Sequence, residues 1–326
     1  MNHLFFRVAE AYFDVEYKGA DDVRLLMPSY APFNISKSEA DGHQMFTIKV
    51  NGDPVPFQGE GEELGQFDCG GINHGIYQLP EGGYLILISN VQGEPACAMR
   101  TSAEFRYCQA TLYGEEPANR SFGLGNALMI AFAFSGAYHQ IILMHSSVTM
   151  KDGGGHLFLG KSGTGKSTHS TQWLTYLPDT ELLNDDNPAL RFHPEDGTVW
   201  VYGTPWSGKT PCYKNKQVPA RAIVRLEQFP ENIIQREPAL KGFASILSSC
   251  STMIWDKPSY RQICDTISEI AKRVPVFYLK CRPDEEAARI CHAAIAKVYE
   301  YLVFPLIHSF VIILQCQRVF LNPTIS

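Results

Sequence analysis

The sequence predicts an α/β protein with a β-rich front half. Three observations carry that prediction. The first ~115 residues are short aromatic and β-branched runs separated by Pro, Gly, Asn and Asp clusters. From Ile141 the pattern becomes strand, tight turn, strand, glycine-rich loop and helix. Strands and helices then alternate to about residue 300, as in α/β domains. The divisions drawn are residues 1–122, a β-rich N-terminal domain; 123–300, an α/β domain; and 301–326, an apolar tail.

In the front half, His3–Val8, Gln44–Val50, Tyr84–Asn90 and Phe105–Leu112 read as strands of an antiparallel domain. Turn clusters such as Asn51-Gly52-Asp53-Pro54 and Pro80-Glu81-Gly82-Gly83 punctuate them. Gly59–Gly71 reads as a surface loop. Leu124–Gln140 is apolar nearly all round, which predicts a buried helix. It is short for a membrane span, which needs about 20 residues.

Ile141–Lys151 and His156–Leu159 flank Asp152-Gly153-Gly154-Gly155, a hairpin signal. Further strands are expected at Glu181–Leu183, Val199–Tyr202, Ala222–Leu226 and Val276–Leu279. Helices are expected at Lys166–Leu177, Pro238–Ile254, Tyr260–Lys272 and Pro283–Tyr301. Trp173, Leu174 and Leu177 are spaced to face the sheet. The last helix opens on Pro283-Asp284-Glu285-Glu286, a proline and three carboxylates where the helix dipole favours them. Tyr301–Gln317 contains no Asp, Glu, Lys or Arg, and Leu302–Leu314 is strongly apolar. It reads as a packed C-terminal segment, with a peripheral anchor as the other reading.

Composition bounds the function. The 326 residues are 45 % apolar, which excludes general disorder. The net charge of −6 speaks against nucleic acid and anionic lipid as partners. The nine cysteines form no C-x-x-C pair. That favours free thiols in a reducing compartment over a disulfide framework or zinc site. The N-terminus carries no basic stretch followed by an apolar run, so a cytoplasmic protein is expected. Asn34-Ile35-Ser36 and Asn119-Arg120-Ser121 match the glycosylation pattern, which has no consequence there.

The sharpest signal is Gly160-Lys161-Ser162-Gly163-Thr164-Gly165-Lys166-Ser167, a complete G-x-x-x-x-G-K-[ST]. Glycines let successive backbone N–H groups turn inward around phosphate oxygens. The following helix adds about half a positive charge at its N-terminus. Lys166 supplies a full charge for the β- and γ-phosphates, and the Ser167 hydroxyl can ligate Mg²⁺. Residues 160–168, Thr168 included, are the candidate nucleotide cradle.

Three further places are candidates. Asp185-Asp186 follows Leu182-Leu183, some 20 residues after Ser167. Two carboxylates at a strand end can divide labour, one holding Mg²⁺ and one taking a proton from an attacking hydroxyl. His145 lies on the strand before the hairpin and is either a cleft residue or a satisfied core histidine. Strand alternation puts it with Leu143, Ser147 and Thr149, the more polar face, which favours the cleft. Gly203-Thr204-Pro205-Trp206-Ser207-Gly208-Lys209 is either a binding loop with an exposed Trp206 and a phosphate-reaching Lys209, or a turn with Trp206 packed on the core. His169 and His193 read as surface residues, and His292 as packing.

Met144-His145-Ser146-Ser147, the strand pair, Gly160–Ser167 and Asp185-Asp186 together resemble the catalytic domain shared by HPr kinase/phosphorylase and phosphoenolpyruvate carboxykinase. Size and the β-rich front half look more like small bacterial HPr-kinase-like proteins. The resemblance implies a P-loop catalytic fold using ATP or another nucleotide with Mg²⁺. It implies that Lys166 and Ser167 bind phosphate and metal, that Asp185 and Asp186 divide metal binding and base, and that His145 lines the site. It also implies a homo-oligomer. The Arg-Gly signature of HPr kinases is absent from the chain. The expected function is phosphoryl transfer from a nucleotide to a hydroxyl of a protein serine or a small molecule. The alternatives are a regulatory nucleotide-binding protein or NTPase, and a carboxykinase-like lyase.

Overall fold

The computed structural model describes residues 2–18, 23–40, 42, 44–67, 74–208 and 210–299. The predicted tail 301–326, Lys209 and the end of the Gly59–Gly71 segment lie outside them. The protein is mixed α/β, with two nine-stranded sheets.

The first sheet comprises β1 (Asn2–Val8), β2 (Ala11–Tyr17), β3 (Asn34–Ile35), β4 (Gln44–Val50), β5 (Glu62–Phe67), β6 (His74–Gln78), β7 (Tyr84–Ser89), β8 (Pro95–Thr101) and β9 (Tyr107–Leu112). Their order is β3-β1-β2-β4-β9-β8-β7-β6-β5. The sheet is not wholly antiparallel as expected: β4 runs parallel to both β2 and β9. The Gly59–Gly71 segment is not all loop, because Glu62–Phe67 pairs with β6 at the sheet edge. The strand EELGQF has only two apolar residues and an internal glycine, which hides it from a periodicity reading.

Helix α1 (Pro117–Gly136) lies on this sheet. It starts earlier than the predicted Leu124, because Pro117 pre-sets the first turn. By length and composition α1 resembles a membrane span, yet 67 % of its most apolar window is buried inside the protein. Phe132 packs against Phe13 and Trp206 in the main core, the latter at 5.0 Å between ring centroids.

The second sheet contains β10 (Ile141–Leu143), β11 (Ser146–Lys151), β12 (Gly154–Leu159), β13 (Glu181–Asp186), β14 (Ala189–His193), β15 (Thr198–Tyr202), β16 (Gln217–Gln228), β17 (Ile233–Arg236) and β18 (Val276–Cys281). Its main path is β10-β14-β15-β16-β12-β11-β13, with β18 and β17 beyond β16. The glycine-rich strand β12 lies between β11, antiparallel, and β16, parallel. Helices α2 (Lys166–Tyr176), α3 (Ala239–Leu247), α4 (Lys257–Arg273) and α5 (residues 285–299) complete this half. Asp256 caps α4 by accepting from the Ser259 N–H, and Asp284 accepts from the Ala287 N–H at 3.0 Å at the start of α5.

Three expectations change here. Ile141–Lys151 is two strands, because β10 pairs with β14 whereas β11 pairs with β12 and β13. The predicted helix Pro238–Ile254 ends at Leu247. Within α2, Trp173 and Leu177 are buried, but Leu174 is 39 % exposed; at 100° per residue it falls beside the buried stripe.

The two histidines read as surface residues are interior. His193 is 8 % exposed, between Glu195 and the Tyr202 hydroxyl. His169, 3 % exposed, accepts from Trp173 Nε1 at 3.1 Å and stands edge-on to Phe158. His156, on β12, also packs against Trp173, at 4.8 Å between ring centroids. Burial drags the pKa of His156 down to about 3 and that of His169 to about 4. Between those values and about 6.5 the unfolded chain binds protons that the folded chain refuses, so stability falls as pH drops through that window. A non-titrating His156→Phe variant is expected to show a shallower slope, by up to about 1.4 kcal/mol per pH unit. Denaturant melts between pH 4 and 7 measure it; parallel slopes in the two proteins would defeat the assignment.

Candidate active site

The centre of the site is the junction between β12 and α2. The strand ends at Leu159, residues 160–165 form the loop, and α2 begins at Lys166. Gly165 occupies the N-cap with φ 102°, a left-handed conformation that L side chains resist. No side chain caps α2, so the amides of its first turn remain available, as all helix N-termini leave theirs. Thr164 closes the loop internally, its Oγ1 donating to the Lys161 carbonyl at 2.7 Å. Gln228, at the end of β16, donates to the Gly163 carbonyl at 3.1 Å. Lys166 Nζ donates to the Gly160 carbonyl at 3.0 Å and lies at 3.5 Å from that of Lys161. Ser167 and Thr168 are exposed on the first turn.

The Asp pair closes β13 rather than following it, and β13 pairs with β11 in a register that sets Ser147 against Asp185 and Ser146 against Asp186. Asp185 is only 6 % exposed, and its carboxylate takes no hydrogen bond or ion pair from a described residue. Asp186 accepts from Asn187 Nδ2 at 2.8 Å and lies 3.5 Å from His145 Nε2. Beneath the pair, buried Asn184 donates to Thr204 Oγ1 and to the Trp206 carbonyl, both at 3.1 Å. Thr204 in turn donates to the Asn187 carbonyl. This network ties the strand end to the loop at 203–208.

The charges are interdependent. Burial pushes the Asp186 carboxyl above the ordinary carboxylate value; the His145 and Lys166 cations pull it back, and Asp185 pushes it up again. Burial and the Lys166 cation hold His145 below its usual value, against the pull of Asp186. Burial lowers Lys166, with Asp186 and Asp185 opposing.

His145 reaches Asp186 by a route that alternation does not describe. It occupies the break between β10 and β11, where its N–H donates to the Ser249 carbonyl at 2.7 Å. Ser147 and Thr149, expected beside it on a cleft face, are buried instead. Ser147 Oγ meets Ser170 Oγ of α2 at 2.6 Å, so this serine of β11 joins the strand to the helix. Of the two readings for Trp206, packing prevails: it is buried and donates through Nε1 to the Tyr30 hydroxyl at 2.8 Å. The loop still borders the site. The Gly208 N–H donates to the Asp185 carbonyl oxygen at 2.9 Å, an approach at which a Cβ would stand 2.8 Å from that oxygen. His292 packs edge-on to Trp173 and also pairs with Asp152 at 2.7 Å.

Two clefts flank the loop. One, about 570 Å³, is lined by His145, Gly160–Ser162, Asp186, Asn187, Arg225 and the chain at 248–251. The other, about 540 Å³, is lined by Thr164, Gly165, Thr168 and the apolar Leu226, Phe229, Pro230 and Pro283. Arg225 and Asn184 escaped the sequence reading, and Thr204 entered it only as part of the 203–209 loop. Arg225 left a signal: a cation inside the apolar run Ala222–Leu226.

No family model matches the chain, and no curated protein matches its sequence. Among solved structures, the chain is similar to the HPr(Ser) kinase/phosphatase from Coxiella burnetii, at 13 % identity and a TM-score of 0.31. The match covers 52 % of this chain and 97 % of that one. A likeness of this size fixes neither a family nor an activity.

Proposed function

We propose that this protein is a nucleotide-dependent phosphotransferase of the HPr-kinase-like kind, moving the γ-phosphoryl group of ATP to a hydroxyl. The observation that carries the reading is that Lys166, at the uncapped start of α2, acts by charge on the same Asp186 carboxyl that lies 3.5 Å from His145. Residues Gly160, Lys161, Ser162, Gly163, Thr164, Gly165, Lys166, Ser167 and Thr168 bind the phosphates. The nucleoside extends toward Phe229 and Pro283, along the apolar cleft.

The donor set fits a hard divalent cation, because it offers two adjacent carboxylates at the end of β13 and an exposed hydroxyl at the start of α2, all oxygen donors. Ser167 and Asp185 would hold Mg²⁺, which supplies neutralisation of phosphate charge. Asp186 then acts as the base. The acceptor hydroxyl gives its proton to Asp186 as its oxygen bonds to the γ-phosphorus and the bond to the departing ADP breaks. His145 orients Asp186, and Lys166 stabilises charge on the transferred group.

The test is the fate of labelled γ-phosphorus from ATP with Mg²⁺, in the presence of candidate hydroxyl acceptors. Transfer to an acceptor, abolished by chelation of Mg²⁺, is the expected result. Release of inorganic phosphate alone would make the protein an NTPase. Oxaloacetate-dependent release of CO₂ would make it a carboxykinase-like lyase.

A further inference from the structure

Arg225 is a cation that the phosphoryl-transfer reading leaves unused. It stands opposite Leu159 in the parallel β12–β16 register, so adjacent strand ends carry the glycine-rich loop and this guanidinium side by side. The side chain is half-buried, and Nη1 donates to Ser248 Oγ at 2.8 Å. Among the described residues no carboxylate lies within 4.0 Å of it. A half-buried guanidinium that donates to a neutral hydroxyl, with no carboxylate at ion-pair distance, is open to an anionic ligand.

The wall that carries Ser248 is built firmly onto the reactive pair. The Ser249 carbonyl accepts from the His145 N–H, the Ser251 N–H donates to the Leu143 carbonyl at 3.3 Å, and Met144 bridges to Cys250. Arg225 and Asp186 therefore face one cleft of about 570 Å³, with a rigid rim of serines between α3 and the His145 break. The opposite cleft, apolar and beside Thr168, accommodates a nucleoside, which leaves the Arg225 side to the second substrate.

We propose that Arg225, with Ser248 and Ser249, forms the acceptor subsite, and that it takes a small hydroxy acid. The carboxylate pairs with the planar guanidinium fork, a geometry that favours bidentate binding. That pairing turns the acid's hydroxyl toward Asp186, which accepts its proton while the acid oxygen bonds to the γ-phosphorus and ADP leaves. The products are a phosphorylated hydroxy acid and ADP. This rests on the phosphoryl-transfer reading above.

The test is calorimetric titration of the protein saturated with Mg²⁺ and the non-hydrolysable analogue AMP-PNP. The probes are D-glycerate, L-lactate and L-malate, each against its own amide. At least one acid is expected to bind tenfold or more tighter than its amide. In Arg225→Gln that preference falls to within twofold, while AMP-PNP affinity stays within twofold of wild type. Thermal melts check folding, and Arg225→Lys, which keeps the charge but loses the fork, carries the test if the glutamine variant does not fold. Three results overturn the proposal: no preference in any pair, a preference that survives in both variants, or a tenfold loss of AMP-PNP affinity, which would put Arg225 on the donor phosphates. Failure of the wild type to bind AMP-PNP is a different outcome, and defeats the phosphoryl-transfer reading itself.

Discussion

Asp186→Asn is expected to lower the rate of phosphoryl transfer by about 10²–10⁴-fold, the span usual for a lost general base. The substitution keeps the shape of the side chain and an oxygen for the Asn187 amide, which now donates at 2.8 Å. It removes the group that takes the proton. Folding is expected to hold, because the charged form of Asp186 is already disfavoured by burial, so a neutral isostere relieves a cost. The contact with His145 at 3.5 Å loses its charge, and His145, no longer held up by Asp186, falls further below its usual pKa. Single-turnover measurements and a thermal melt separate the two effects. Wild-type turnover with an unchanged melt would make the Asp pair a strand end and nothing more.

Lys166→Ala is expected to weaken ATP binding by at least tenfold, about 1.4 kcal/mol, and to lower turnover further. The ammonium is the one full positive charge at the start of α2, where the helix dipole supplies only about half a charge. Its hydrogen bond to the Gly160 carbonyl is lost, but Thr164 continues to close the loop on Lys161 and Gln228 continues to hold Gly163. The loop is therefore expected to keep its shape. The same variant offers an independent readout. Lys166 pushes the His145 pKa down, so NMR titration of His145 is expected to shift upward when the cation is gone. Calorimetry showing equal ATP affinity in the two proteins would remove the phosphate-loop reading.

Much of this site was legible because its parts are local. A strand, a glycine-rich loop and a helix are contiguous in the chain, and the glycines and Lys166 are required by backbone geometry and charge within those few residues. The Asp pair was visible as a carboxylate dipeptide closing an apolar run. Helix α1 was visible from composition, since a segment apolar all round must be covered; its start at Pro117 was not, because the first turn is polar.

What failed depended on partners distant in sequence. Ile141–Lys151 looks like one strand because period-2 alternation says nothing about which neighbour each half pairs with. The break at His145 arises because the two halves join different strands, and that break, not alternation, brings His145 to Asp186. His169 and His193 were read as surface residues because a histidine carries no hydropathy signal of its own; Trp173 in one case and Tyr202 in the other supply the interior partners.

The sequence by itself determined the chemistry on offer: a phosphate-cradling loop with its lysine, a pair of carboxylates, and an α/β framework able to hold them. Those choices are written in residue type and short-range spacing, where sterics and charge act between near neighbours. Only the tertiary structure decided which groups meet. It buried Asp185 at the end of β13, set Asp186 against His145, tied the 203–208 loop to the Asp pair through Asn184 and Thr204, and brought Arg225 onto the same cleft as Asp186. Those encounters come from strand order and register, which follow from burying two sheets and their helices together. That is a property of the whole chain that no local stretch encodes.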